Sequence, residues 1–188
     1  MKKILPYAYF KEQIVPIEKA QISIASHSLQ YGTTCFGGIR GYLDNTNNKT
    51  ALTFRLPDHF KRLINAAKIL GMDFKMKEND FLKIIEDLIA KNKPESDFYI
   101  RPFIFTDDQV LTPKFHGLNF TLGIYMIPLG DYLDTSRGLK LMVSTWRKFS
   151  DASMSTKAKA GGSYIHSSLA RSEAERLGYD EALVMDEH

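Results

Sequence analysis

Lys157-Ala158-Lys159-Ala160-Gly161-Gly162-Ser163-Tyr164 is the stretch on which the reading of this chain turns. It is a polar loop in which a lysine stands two residues before a glycine pair, and the pair opens a helix predicted over 164–177. A lysine held at such an entrance loses part of its water, and a desolvated amine is a better nucleophile toward carbonyl carbon. The glycines would let backbone N–H groups approach an anion at the helix N-terminus. The same residues also describe an exposed basic loop with no chemistry, and the segment alone does not choose between the two.

On either side the pattern is strand and helix. A strand is predicted over 139–146, before the loop. Gly178 closes the helix, and Glu181 begins another strand that runs to Met185. Upstream, residues 7–25 hold short apolar runs around Lys11-Glu12-Gln13, which predicts a hairpin. Strands follow at 39–43 and 51–54, separated by the turn formers Asp44-Asn45-Thr46-Asn47-Asn48. Pro57 opens a helix in which Phe60, Leu63, Ile64, Ala67 and Leu70 recur at helical spacing, with Gly71 as its closing glycine. A second helix over 79–91 carries Phe81, Ile84, Ile85 and Leu88 on one face, and strands are predicted at 98–105 and 120–127. Pro128-Leu129-Gly130-Asp131-Tyr132 and Ser136-Arg137-Gly138 then break the pattern and mark a linker between domains. Alternating strands and helices on both sides predict a mixed α/β architecture.

Composition excludes several functions. Of 188 residues, 44% are apolar and 25% charged, as in an ordinary globular domain. A net charge of +3, with lysines interleaved among acids, gives no basic block for nucleic acid. One cysteine, Cys35, allows no internal disulfide and suits a reducing compartment, and five scattered histidines give no metal-ligand pattern. The apolar stretch after Met1 is too short for a signal peptide, and no run reaches membrane-spanning length. The expectation is a soluble, cytoplasmic, metal-free protein without nucleic-acid or membrane partners.

Four segments resemble, in order, the branched-chain amino acid aminotransferases, which are fold-type IV, class IV enzymes dependent on pyridoxal phosphate. Ser26-His27-Ser28-Leu29-Gln30-Tyr31-Gly32-Thr33-Thr34-Cys35-Phe36-Gly37-Gly38-Ile39-Arg40 is similar to their N-terminal signature. His59-Phe60-Lys61-Arg62-Leu63 and Tyr99-Ile100-Arg101-Pro102 follow. Lys159-Ala160-Gly161-Gly162-Ser163-Tyr164, with Ser172-Glu173-Ala174 and Gly178-Tyr179-Asp180-Glu181-Ala182, resembles the lysine segment. The resemblance implies a small α/β domain over 1–127, a linker over 128–138, and the opening of a larger cofactor-binding domain over 139–188.

It also implies roles. Lys159 would be the Schiff-base lysine and the group that moves the substrate proton. Tyr164 would meet the cofactor's phenolic oxygen, and Arg62 would pair with its phosphate, a task suited to a planar fork of donors. Tyr31, Phe36, Tyr99, Arg101 and Tyr132 would form the substrate pocket, its aromatic rings against aliphatic side chains and Arg101 against the side-chain carboxylate of glutamate. The implied reaction moves the amino group of Leu, Ile or Val to 2-oxoglutarate. The implied assembly is a homodimer or higher oligomer in which Tyr31 reaches the neighbouring subunit's site.

Departures stand beside these matches. Gly37 occupies a position usually acidic in the family, and Leu129 one that is commonly tryptophan. The chain ends at Asp186-Glu187-His188, before the family's glutamate that faces the cofactor's pyridine nitrogen, so the 188 residues alone are expected to be catalytically incomplete. The rival readings are a truncated, inactive remnant or dimerising domain, a D-amino acid aminotransferase, and an aminodeoxychorismate lyase. The last two usually carry an acidic-arginine-glycine lead-in where this chain has Ser26-His27-Ser28.

Overall fold

A computed structural model describes residues 4–44, 46, 50–130 and 137–186. Strands β1 (Tyr7–Phe10) and β2 (Gln13–Pro16) form the expected hairpin, joined by a two-residue turn in which Lys11 and Glu12 both take positive φ. A short 3-10 turn (Ile17–Lys19) leads to α1 (His27–Tyr31), β3 (Cys35–Phe36), β4 (Ile39–Asp44) and β5 (Thr50–Thr53). Helices α2 (Leu56–Ile69) and α3 (Glu78–Asn92) follow, then the long strands β6 (Phe98–Thr106) and β7 (Phe120–Pro128). The chain closes with β8 (Leu141–Arg147), α4 (Tyr164–Arg176) and β9 (Glu181–Met185).

The first seven strands make one antiparallel sheet in the order β2-β1-β7-β6-β4-β5, with β3 and β4 sharing the same edge of β6. Its alternation explains its two faces. Along β6, Phe98, Ile100 and Ile104 are buried on one side, where α2 and α3 lie against them. Phe60, Leu63 and Ala67 of α2 and Phe81, Ile85 and Leu88 of α3 complete this core, the Phe60 and Phe81 rings 5.2 Å apart. Each such large side chain contributes roughly 1.5–3 kcal/mol by leaving water. Tyr99, Arg101 and Phe103 point to the opposite face, which is how one strand can both build the core and supply a site.

Pro57 sits in the first turn of α2, as its missing N–H allows. At the other end Gly71, at φ +72°, lets Met72 N–H return to the Ala67 carbonyl, closing the helix as predicted. The second sheet differs in kind: β8 and β9 are parallel, and α4 is the crossover between them. Arg137 grips the Asp180 carboxylate with two hydrogen bonds of 2.9 and 2.8 Å, and Lys140 N–H adds a third at 2.7 Å. Arg137, more than any other group, holds Asp180 far below the usual carboxylate range. The centre of the expected linker, residues 131–136, lies outside the described residues, and Pro128 is the last residue of β7. Among the described residues no helix is long and apolar enough to cross a membrane.

The sequence carried no sign of α1 or β3, which lie in the signature segment. Cys35 of β3 is fully buried, and burial pushes its thiol up to about 12. Since the thiolate is the reactive form, Cys35 is expected to resist alkylation in the native protein at neutral pH and to react fully in denaturant. Native labelling at the rate of a free thiol would show that β3 opens readily.

Candidate functional site

Lys159 is placed by a backbone ribbon between two segments far apart in sequence. Cys35 and Ala160 form an antiparallel bridge. Phe36 N–H donates to the Lys159 carbonyl at 3.0 Å, Gly161 N–H to Thr34 at 2.8 Å, and Gly162 N–H to Gly32 at 3.2 Å. The extended chain alternates, so Ala158 and Ala160 are buried on the β3 side while Lys159 turns the other way.

The glycine pair therefore serves close approach rather than anion capture. A Cβ on Gly161 would lie 2.0 Å from Thr34 Oγ1, and one on Gly32 would lie 2.8 Å from Gly162 Cα. The two N–H groups expected to face an anion are instead committed to carbonyls of the signature segment. A carbonyl partner cannot be inferred from a glycine pair alone, and this is why the expectation failed.

The signature segment is itself anchored by buried polar side chains. His27 places Nδ1 2.8 Å from the Thr33 hydroxyl and Nε2 2.9 Å from the Thr112 carbonyl. Ser26 Oγ donates to Thr106 O, Ser28 Oγ donates to Thr33 O, and Thr106 N–H donates to Ser28 Oγ. These groups hold α1 and the Gly32 turn, at φ +64°, against the end of β6.

Lys159 Nζ donates to the Tyr164 hydroxyl at the start of α4. It lies 4.7 Å from the Tyr164 ring centroid and 4.8 Å from that of Phe36, and the two rings are 4.8 Å apart. Arg101 covers Phe36 at 4.3 Å and Tyr99 at 5.2 Å. Gly38 makes room for Tyr99, whose hydroxyl would be 2.3 Å from any Cβ there. Burial raises the Tyr99 phenol, and the Arg101 charge offsets part of that rise.

Behind Lys159 opens a cavity of about 340 Å³ lined by Arg62, Lys148, Phe149, Ser155, Thr156, Lys157, Ala158, Lys159, Ser163, Tyr164 and Ser167. No acidic residue is among them. Arg62 comes from α2, where its Nη2 reaches His59 Nδ1 at 3.3 Å. Burial first, and then the Arg62 charge, lowers the proton affinity of His59, so its ring accepts rather than repels the guanidinium.

Six of the eight residues singled out in the sequence thus converge: Lys159, Tyr164 and Arg62 on the cavity, Phe36, Tyr99 and Arg101 beside it. Tyr31 does not join them, since its ring packs on His27 at 4.7 Å and is exposed. Tyr132 lies outside the described residues. Lys148, Phe149 and the hydroxyls of Ser155, Thr156, Ser163 and Ser167 were not anticipated, because loop residues carry no periodic signal.

Charge gives the arrangement its meaning. Among the described residues Arg62, Arg101 and Lys159 form no ion pairs, and the buried Nε of Arg101 has no hydrogen-bond acceptor. Buried donors without partners are rare in folded proteins. Arg62 and Lys159 on the cavity, with Arg101 beside it, gather positive charge that no described carboxylate neutralises, an arrangement that suits anions. Among the described residues no cluster of His, Cys, Asp and Glu could hold a metal ion.

Comparison with known proteins points the same way. A family model for amino-transferase class IV matches residues 34–188. A probable branched-chain-amino-acid aminotransferase of Synechocystis sp. is 39% identical over 99% of this chain and 60% of its own length. The branched-chain-amino-acid aminotransferase of Escherichia coli K12 is 36% identical over 96% of this chain and 58% of its own. Among solved structures, the branched-chain aminotransferase of Thermoproteus uzoniensis with norvaline superposes at a TM-score of 0.91, with 32% identity over 98% of this chain and 61% of that one. The PLP-form enzyme of Thermobaculum terrenum gives 0.88, with 26% identity over 99% and 60%. The chain spans about three-fifths of the length of these relatives.

The ribbon makes a direct prediction. Gly161→Ala should destabilise the protein by about 1–3 kcal/mol, because the new methyl group must displace Thr34. Thr34→Ala in the same chain, by removing Oγ1, should recover most of the loss. Denaturant unfolding of both variants checks this, and no recovery in the double variant would mean that the Thr34 hydroxyl is not the obstacle.

Proposed function

The chain belongs to the class IV aminotransferases, and on that premise we propose that the protein is a branched-chain-amino-acid aminotransferase. It passes the amino group of Leu, Ile or Val to 2-oxoglutarate, with pyridoxal 5′-phosphate attached at Lys159. The observation that carries this reading is the convergence of Arg62, Lys159 and Tyr164 on one cavity with no acid among the described residues that line it.

The donors present fit that cofactor. Arg62 and the neighbouring hydroxyls suit a phosphate, Lys159 offers a primary amine, and Tyr164 offers a hydroxyl at the amine itself. A volume of about 340 Å³ suits one substituted aromatic ring. Pyridoxal phosphate, when bound, supplies an aldehyde that takes up amines and a ring that accepts the electrons released at the substrate Cα.

The chain's own residues then divide the work. Arg62 holds the phosphate and fixes one end of the cavity. Lys159 is aimed by the ribbon and steadied by the Tyr164 hydroxyl. Lys159 Nζ would hold and move the proton removed from the substrate Cα. Phe36, Tyr99 and Tyr164 offer aromatic faces to aliphatic side chains. Arg101, stacked on Phe36 with its Nε unsatisfied, receives the side-chain carboxylate of glutamate. One pocket thereby serves both substrates: aromatic faces for leucine, a guanidinium above them for glutamate.

In this reading two domains meet at residues 128–138, the enzyme is a homodimer or higher oligomer, and Tyr31 serves the partner's site. A free, buried Cys35 suits the reducing cytoplasm, where we place the enzyme.

Two experiments test the reading. After incubation with pyridoxal phosphate and reduction with borohydride, peptide mass mapping should find the cofactor on Lys159. Modification of Lys157 with Lys159 untouched would sink the assignment. In a chain extended to the full length of its relatives, Arg101→Ala should lower kcat/KM for glutamate about 10- to 150-fold more than for leucine, the worth of a charge-assisted hydrogen bond in a partly buried pocket. Equal losses for both amino acids would show that Arg101 acts on the fold and not on the carboxylate.

A further inference from the structure

Ser172-Glu173-Ala174 takes no part in that chemistry, yet Glu173 is a buried carboxylate with three hydrogen bonds. Its Oε2 accepts from the Ser144 hydroxyl at 2.5 Å and from Thr145 N–H at 3.0 Å, and its Oε1 accepts from the Thr145 hydroxyl. The hydroxyls, Ser144 first and then Thr145, hold Glu173 below the usual carboxylate range.

All three donors come from the place where β8 breaks its pairing with β9. Val143 stands opposite Leu183 and Arg147 opposite Met185, so β8 advances four residues while β9 advances two. Ser144, Thr145 and Trp146 are left out of the ladder. Backbone N–H groups freed inside a protein need other partners. Thr145 N–H finds the Glu173 carboxylate. Trp146 N–H finds Ser144 Oγ at 3.1 Å, whose own hydrogen goes to Glu173.

Such bulges bend a strand and re-aim the residues that come after them. Here the chain continues into Lys148 and Phe149, which line the Lys159 cavity, with Lys148 N–H returning to the Met185 carbonyl at 2.8 Å. Another part of the lining comes from the start of α4, with Ser163, Tyr164 and Ser167, and the Phe149 ring meets His166 of that helix edge-on at 5.8 Å. His166 of the same helix makes a second tie, through Nε2 to the Arg147 carbonyl. Glu173 therefore joins the helix of one wall to the bulge that delivers the other.

We propose that Glu173 is a positioning residue: its carboxylate holds the bulge in β8 and so sets the spacing between the Lys148–Phe149 wall and the Tyr164 wall of the cofactor cavity. The inference rests on the cavity binding pyridoxal phosphate. A carboxylate suits the post because it only accepts, whereas a glutamine of the same shape must turn an N–H₂ toward one of three donors.

Glu173→Gln and Ser144→Ala, singly and together, test this in the intact protein by three measurements: absorbance titration with pyridoxal phosphate, visible circular dichroism of the bound cofactor, and thermal melting. Either single change should raise the Kd for pyridoxal phosphate about tenfold and alter the dichroism well below the melting temperature. The double variant should be little worse than Glu173→Gln alone, since both break one connection. Ser144→Ala keeps the test decisive if Glu173→Gln does not fold. Lower melting temperatures with unchanged Kd and dichroism would overturn the proposal, as would losses that simply add. A parent protein that takes up no pyridoxal phosphate would overturn the reading of the cavity, and this inference with it.

Discussion

The pairing of the Gly32–Phe36 backbone with the Lys159–Gly162 backbone is the constraint on which the rest of the site depends. Three hydrogen bonds of 2.8 to 3.2 Å connect the edge of the antiparallel sheet to the loop that enters α4. The approach is so close that neither Gly32 nor Gly161 has space for a side chain. A lysine on a free loop samples many rotamers and positions. Here the peptide unit that follows Lys159 is held by Phe36 N–H, and the next by the Thr34 carbonyl, so the backbone leaving the lysine is fixed. The same ribbon brings Phe36 beneath the amine, so one contact supplies both the reactive group and the floor it works on.

Charge is arranged with comparable economy. Among the described residues the cations of the site are left without carboxylates, while Asp180 is paired with Arg137, and Glu173 with two hydroxyls and an N–H. A guanidinium stacked on aromatic faces keeps part of its stabilisation without an anion, through attraction to the ring quadrupole. Arg101 on Phe36 and Tyr99 can therefore wait for an anionic ligand and still share its surface with an aliphatic one. An acid placed permanently beside it would satisfy the guanidinium and occupy the place meant for the substrate.

Much of this was legible in the residues. Helices α2 and α3 declared themselves through apolar spacing, with Pro57 and Gly71 marking the limits of α2. Strands β6 and β7 did so through apolar runs, and the lysine segment through its likeness to a family. What stayed hidden depends on contacts between distant segments. The short elements α1 and β3 are held by buried side chains such as His27 and Ser28, whose partners lie about 80 residues away in sequence. A local window makes the glycine pair an anion cradle, because its true partners, Gly32 and Thr34, cannot be named from that window. The bulge in β8 was invisible for the same reason. It exists only relative to β9 and needs a helix residue to satisfy it.

The ribbon also bears on how the chain reaches its final form. Cys35 and Ala160 are about 125 residues apart, and closing a loop of that length is entropically slow compared with forming a hairpin such as β1–β2. Most of the other pairings in the large sheet join segments closer in sequence, so the sheet and its two helices can condense before the lysine loop docks on them. The amine is thus delivered to an edge that already exists. During synthesis from the N-terminus, the protein has its scaffold well before it has a reactive centre.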